Sequence, residues 1–302
     1  MLPQLGDDLF LTDGGMETWL VHERGFELPQ FASFPLLDRV EGLAALRAYF
    51  APYVELARAR GVGLVLDAPT WRASSHWGGL LGYGAERLAD ANRRAVALVE
   101  EIRDGAPDVR IVIGGCVGPC DDAYAPSEQI SADAAHAYHL PQIEIFAGTA
   151  ADFVNALTLT YSAEAIGIAR AANDVRLPVA ISFTVETDGR LPGGEQLGDA
   201  IVAVDGAAEV DYFMVNCAHP THFADALADG EWRERVWGVR ANASAKSHAE
   251  LDEAEELDAG DPEELAGHYP RLRERLPNLR VAGGCCGTDE RHIAAIGRAL
   301  GA

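Results

Sequence analysis

Only one lysine, Lys246, occurs among 302 residues, so arginine supplies nearly all of the 24 basic side chains that face 47 acidic ones, and the formal net charge is −23. A surface this acidic repels phosphate backbones and anionic lipid headgroups, which argues against nucleic acid or membrane as a partner. The scarcity of lysine itself identifies no chemistry. Nowhere does the sequence reach the ~18 uninterrupted apolar residues of a membrane span. Its first ten residues carry Asp7 and Asp8, without a basic start or an apolar run of signal length, so a cytoplasmic protein is expected. Cysteine is scarce and odd in number, at five, which disfavours a disulfide framework and turns attention to metal or thiol chemistry. What is plentiful is apolar content, 48%, together with 31 glycines, enough for a full core and too much for a disordered or fibrous chain.

Eight short apolar runs begin after turns and end in small or polar residues, at 9–15, 62–69, 110–118, 152–160, 178–185, 211–218, 235–242 and 278–285. Helical patterns fill the gaps. The clearest is Ala85–Asp104, where Leu88, Ala91, Ala95, Leu98, Val99 and Ile102 form one apolar stripe. A last helix is expected after Thr288 as N-cap, with Asp289 and Glu290 in its first turn. Strands in such alternation are parallel, and eight of them close into a single (β/α)₈ TIM barrel, taken here as one domain over 1–302. An open doubly wound sheet would carry a G-x-G-x-x-G turn after its first strand. Here that stretch reads Asp13-Gly14-Gly15-Met16-Glu17-Thr18. The acidic segment 248–264 follows the seventh strand and is either a solvated face or a loop over the barrel mouth.

In such a barrel catalytic groups sit where strands end. Run six ends in Asn216-Cys217-Ala218-His219 and run eight in Gly283-Gly284-Cys285-Cys286-Gly287-Thr288. If both tips face the mouth, three sulfurs meet. Three thiolates suit Zn²⁺ in a tetrahedron whose fourth position stays open; the alternative is that each cysteine is a small buried hydrophobe. Cys116 and Cys120, at the end of run three, are either further ligands or loop packing.

The opening Leu11-Thr12-Asp13-Gly14-Gly15-Met16-Glu17-Thr18, the Asn216-Cys217 pair and the run 283–288 together resemble the homocysteine S-methyltransferase family, over nearly the whole chain. The resemblance implies a (β/α)₈ barrel in which Cys217, Cys285 and Cys286 bind zinc. It implies transfer of a methyl group from a small cationic donor, of the S-methylmethionine, S-adenosylmethionine or betaine type, to homocysteine, giving methionine. Coordination keeps such a thiol as thiolate, whereas a free thiol of pKa ~8.5 is only a few per cent ionised at neutral pH. A cationic donor then leaves as a neutral product beside an anionic site.

Asp13, at the first tip, is expected to hold the α-ammonium of the acceptor, with Glu17 at the rim. Asn216 is expected to donate to substrate or to orient Cys217, and Asn242 and Thr70 to line the substrate site. The chain departs from the family at run four, where Leu157-Thr158 stands in place of a usual Glu-Thr. Glu186, just past run five, is the candidate replacement for that glutamate. Trp71 and Arg72 also depart from the usual second tip, and Trp71 either packs on a cationic donor or fills the rim. Two rivals stay open: another thiol or a selenol as acceptor, and a non-catalytic thiol-binding module that works with a separate methyl carrier.

Overall fold

The computed structural model describes residues 2–124, 128–227, 230–252 and 256–302. Eight parallel strands, β1 (Phe10–Thr12), β2 (Gly63–Asp67), β3 (Ile111–Val117), β4 (Phe153–Leu159), β5 (Val179–Phe183), β6 (Tyr212–Asn216), β7 (Val236–Ala241) and β8 (Val281–Gly284), close into a barrel in chain order. Closure is made by β1, which pairs with both β2 and β8. Every strand falls inside its expected run, and every one is shorter than that run. The last residues of each run leave the ladder to build the mouth, where the polar and sulfur side chains collect. Among the described residues no helix is long and apolar enough to cross a membrane.

The barrel interior is layered. At its N-terminal end Phe10, Val112, Phe153, Tyr212 and Val281 fill the lumen, and the short turn Pro3–Leu5 docks there with Gln4 Nε2 donating to the Tyr212 hydroxyl at 3.3 Å. Above this apolar floor the inward side chains turn polar: Asp67, Asn155, Ser182, Asn216 and Arg240 are all buried. Outside the barrel, the helix Ala85–Asp104 buries Ala91, Ala95, Leu98 and Val99, with Leu88 and Ile102 partly covered, as its stripe predicts. Asn92 interrupts that apolar face; its amide donates to Ala73 O and Leu88 O, both at 2.9 Å, and accepts from Gln142. The last helix is Glu290–Ala299, and its N-cap is Asp289 in place of the expected Thr288. The Asp289 carboxylate accepts from the backbone N–H of Arg291 and His292, while the Thr288 hydroxyl is spent on Cys285 O at 2.7 Å.

Asp38 ties the segment Phe34–Asp38 to that outer helix. Its carboxylate accepts from the Tyr83 hydroxyl and Arg87, both at 2.6 Å, and from Arg94 at 2.8 Å. Partial burial opposes the charged form, but these three donors outweigh it and hold the group at about 2. A depressed pKa means stabilisation that is complete above the unfolded value of ~3.9 and disappears as pH falls toward 2. Asp38→Asn is therefore expected to cost about 1 kcal/mol at pH 7, a figure reduced for solvent screening of a partly exposed group. In urea titrations the difference from wild type should be about the same at pH 7 and 5 and clearly smaller at pH 3.

Candidate metal centre and active site

Beyond Asn216 the chain leaves β6 abruptly. Cys217 adopts a left-handed backbone, φ 57°, unusual for a residue with a side chain. Its carbonyl is held there by three donors: Thr184 Oγ1 at 3.2 Å, Asn242 Nδ2 at 3.0 Å and His248 Nε2 at 2.7 Å. The turn after β8 is fixed just as firmly. Thr288 caps Cys285 O, Cys285 N donates to Ala241 O at 2.8 Å, and Gly287 takes a positive φ of 78° that lets the chain turn back immediately after Cys286. Gly15 makes the close approach from the β1 side, since a Cβ there would stand 2.7 Å from Cys285 O.

These two turns bring the three sulfurs of Cys217, Cys285 and Cys286 together, all within 4.8 Å of one another, with Cys217 Sγ and Cys286 Sγ 3.6 Å apart. Neither Cys116, buried on β3, nor Cys120, whose backbone N–H donates to Glu164, belongs to this trio. Within the trio, contacts from Cys217 and Cys286 pull the Cys285 thiol below the usual range. The same sulfur contacts push the Cys286 thiol up. Asn216 braces the group: Oδ1 accepts from Thr158 N at 2.8 Å and Ser182 Oγ at 2.6 Å, and Nδ2 donates to Thr158 Oγ1 at 2.8 Å and reaches Cys285 Sγ at 3.8 Å. Thus Asn216 touches Cys285, not Cys217 as its sequence neighbour suggested.

Directly beneath lies a buried ionic layer. Arg240 Nη2 is 2.5 Å from Asp13 Oδ1, and Arg240 Nη1 pairs with Asp67 Oδ2. Tyr49 donates to Asp13 Oδ2 at 3.1 Å, Asn155 Nδ2 to Asp67 at 2.8 Å, and Arg240 Nε to Gly284 O at 3.2 Å. With both carboxylates ionised, two against one guanidinium give the layer one net negative charge. Burial lifts Asp13 to about 7, Arg240 opposing and Asp67 adding.

One cavity runs from this layer to the sulfurs and is walled by Asp13, Glu17, Trp71, Leu157, Arg240 and the trio, among others. An adjoining outer chamber shares Trp71, Tyr124 and Cys286 and adds Asp122, Asn242, His248, Glu256 and Asp258. The acidic segment 248–264 does lie at the mouth, through Leu251 and residues 256–258; its residues 253–255 are outside those described.

Other expected site residues fall in different places. Glu17 reaches the cavity from the first turn of Met16–His22, held by Ser33 at 2.8 Å and raised in pKa by burial. Asn242 lines the outer chamber, and its Oδ1 is buried without a partner. Thr70 does not enter either cavity; it is fully buried, and its hydroxyl donates to Cys116 O at 2.7 Å. Glu186, expected to replace the family glutamate, lines neither cavity; it pairs with His248 Nδ1 at 3.1 Å and so supports the Cys217 carbonyl from one step away. Leu157 presents an apolar wall, its carbonyl accepting from Trp71 Nε1 at 3.3 Å. Arg72 lies over the rings of Trp71 and Trp77, at 4.1 and 3.7 Å. Sequence reading missed Tyr124, whose hydroxyl is 2.9 Å from Cys217 Sγ and whose ring stacks near His248 at 4.3 Å.

A closed parallel barrel with three sulfurs gathered at its C-terminal mouth places the protein among barrel proteins whose site is built from strand tips. The homocysteine S-methyltransferase profile matches residues 10–300, and the chain belongs to that family. Among curated proteins it is similar to methionine synthase of Mycobacterium tuberculosis, 26% identical over an alignment of 236 residues that covers 72% of this chain and 18% of that protein. Methionine synthase of Mycobacterium leprae is 27% identical over 231 residues. The chain thus spans under a fifth of the length of these relatives. Among solved structures, the metallated form of the homocysteine methyltransferase MmuM from Escherichia coli superposes with a TM-score of 0.76 at 22% identity, covering 97% of this chain and 96% of that one, which shows a shared fold.

Proposed function

We propose that residues 1–302 act as one barrel domain that transfers a methyl group from a small cationic donor to the thiol of homocysteine, giving methionine, with Zn²⁺ held by Cys217, Cys285 and Cys286. The observation that carries this reading is the convergence of those three sulfurs at the end of a cavity. The donor set fits the ion: three thiolate sulfurs within reach of one point are a zinc site with a position left for a substrate. Bound there, zinc would supply an acceptor sulfur kept as thiolate at neutral pH.

This chain's own residues do the rest. Asn216 and the donors on the Cys217 carbonyl hold the sulfurs in place, and the Tyr124 hydroxyl engages Cys217 Sγ. The layer of Asp13, Asp67 and Arg240, negative when both carboxylates are ionised, forms the floor on which an α-ammonium would rest. Asp13 has two oxygens already engaged, by Arg240 and Tyr49, but a carboxylate offers about four acceptor positions. Glu17 adds charge at the rim. Asp122, Glu256 and Asp258 outnumber Arg72 in the outer chamber, where Trp71, with Arg72 over its ring, and Tyr124 add aromatic surface, a setting that attracts a cationic methyl donor. Asn242 holds the Cys217 carbonyl through Nδ2 at the edge of this chamber.

A second reading, another thiol or a selenol as acceptor, is favoured by the apolar wall at Leu157, where the family carries glutamate. A third, a thiol-binding module acting with a separate methyl carrier, is favoured by the small share of the methionine synthases that the chain covers. Zinc-loaded protein incubated with homocysteine and, in turn, S-methylmethionine, S-adenosylmethionine and betaine separates the three. Methionine formed with any of the donors is the expected result. Turnover restricted to a different thiol replaces the acceptor, and homocysteine binding without product from any donor or acceptor supports the carrier-dependent module.

A further inference from the structure

Away from the sulfur trio, His219, Glu264 and His268 bring three ligand atoms of another kind within 4.8 Å of one another. We propose that they form a second metal site, for a divalent transition ion of borderline softness such as Zn²⁺. The residues come from two separate elements. His219 stands at the start of the turn Pro220–Phe223 just past β6, while Glu264 and His268 are four apart on the helix Pro262–Arg275 and therefore share one face of it.

The geometry is that of a site rather than a chain of ion pairs. His268 Nε2 lies 2.9 Å from Glu264 Oε1, an ordinary pair. His219 Nε2 stands 3.6 Å from the other oxygen of the same carboxylate, too far for a hydrogen bond. Two donors each ~2.0–2.1 Å from one tetrahedral ion stand ~3.3 Å apart, close to that separation. The His219 ring is buried, and in the ligating tautomer its Nδ1–H donates to Thr221 Oγ1 at 2.8 Å, which leaves the Nε2 lone pair for the ion. That contact is the kind that orients a ligating imidazole by its far nitrogen. The imidazole rings of His219 and His268 meet edge to face at 5.2 Å, with both Nε2 atoms directed at the carboxylate between them. Two imidazoles and one carboxylate select zinc, cobalt, nickel or copper over magnesium and calcium, which prefer all-oxygen shells. No ligand is shared with the cysteines, so an ion here would tie the turn after β6 to the helix after β7 independently of the mouth.

The test is a cobalt titration of the chelator-stripped full chain, read by absorption and by metal content after gel filtration. Wild type is expected to hold two ions: one with an intense sulfur-to-cobalt charge-transfer band, one with weak visible bands only. His268→Ala should lose the second ion and keep the charge-transfer band, and Glu264→Gln should do the same. A variant with both Cys285→Ala and Cys286→Ala should lose the band and retain the second ion. Circular dichroism of each variant checks the fold. Wild type that binds a single ion through sulfur, or a non-sulfur cobalt signal that persists in His268→Ala and Glu264→Gln, overturns the proposal.

Discussion

Single replacement of Cys217, Cys285 or Cys286 by alanine is expected to abolish tight metal binding at the sulfur trio and to lower methyl transfer by about a thousand-fold or more. Two contributions combine. An acceptor thiol of pKa ~8.5 left to itself is only a few per cent thiolate at neutral pH, which accounts for about thirty-fold. Loss of a fixed sulfur position beside the donor removes an orientation effect that in well-aligned pairs is far larger. The barrel itself should survive. The trio lies beyond the ends of β6 and β8, above an apolar floor and a closed ladder that none of the three side chains completes. Cys217 keeps its left-handed turn in the alanine variant, because what holds it is the carbonyl, with its contacts to Thr184, Asn242 and His248. Cobalt charge transfer, methionine formation and melting temperature measured together check this. A variant that has lost the charge-transfer band yet turns over normally would sink the metal-centred reading, and one that melts cooperatively far below wild type would show that the sulfurs are structural.

The barrel and the trio were both readable because they rest on local pattern. Strands buried on both faces read as continuous apolar runs, and eight of them at helix-sized intervals admit few topologies. The cysteines stood at the ends of two such runs. What stayed hidden depends on contacts between distant loops. Tyr124, Thr184 and His248 act on the sulfur or the carbonyl of Cys217 from three separate connections, and connections carry no period from which a direction can be inferred. Thr288 and Asp289 both favour an N-cap; only the position of Cys285 O decides that the threonine goes elsewhere. Thr70 shows the reverse error, since a polar residue at a strand tip still turned inward to Cys116 and away from both chambers. Asp67 and Arg240 did leave a signal, a charge at the end of an otherwise apolar strand. Their pairing, 173 residues apart in sequence, appears only when closure sets β2 and β7 to face each other across the lumen.

That pairing leads to the largest stability effect. Arg240→Leu is expected to cost about 3–5 kcal/mol at pH 7.5, because it strands two buried carboxylates, Asp13 and Asp67, without a counter-charge. Burial already lifts Asp13 to about 7 with the guanidinium in place. Without it both groups can stay buried only by taking up protons. A carboxylate whose folded pKa exceeds its unfolded value of ~3.9 binds protons on folding, so its destabilising effect is complete above the folded pKa and fades as pH falls toward the unfolded one. The variant should therefore regain stability between pH 7.5 and 5.5, opposite in sign to the change at Asp38. Adding Asp67→Asn to Arg240→Leu should recover part of the loss at pH 7.5, since one stranded charge is then gone while the hydrogen bond to Asn155 can be re-formed. Urea titrations at the two pH values measure all of this. A loss under about 1 kcal/mol, or one independent of pH, would mean that the layer is held by packing, and that a floor without net charge lies under the sulfurs.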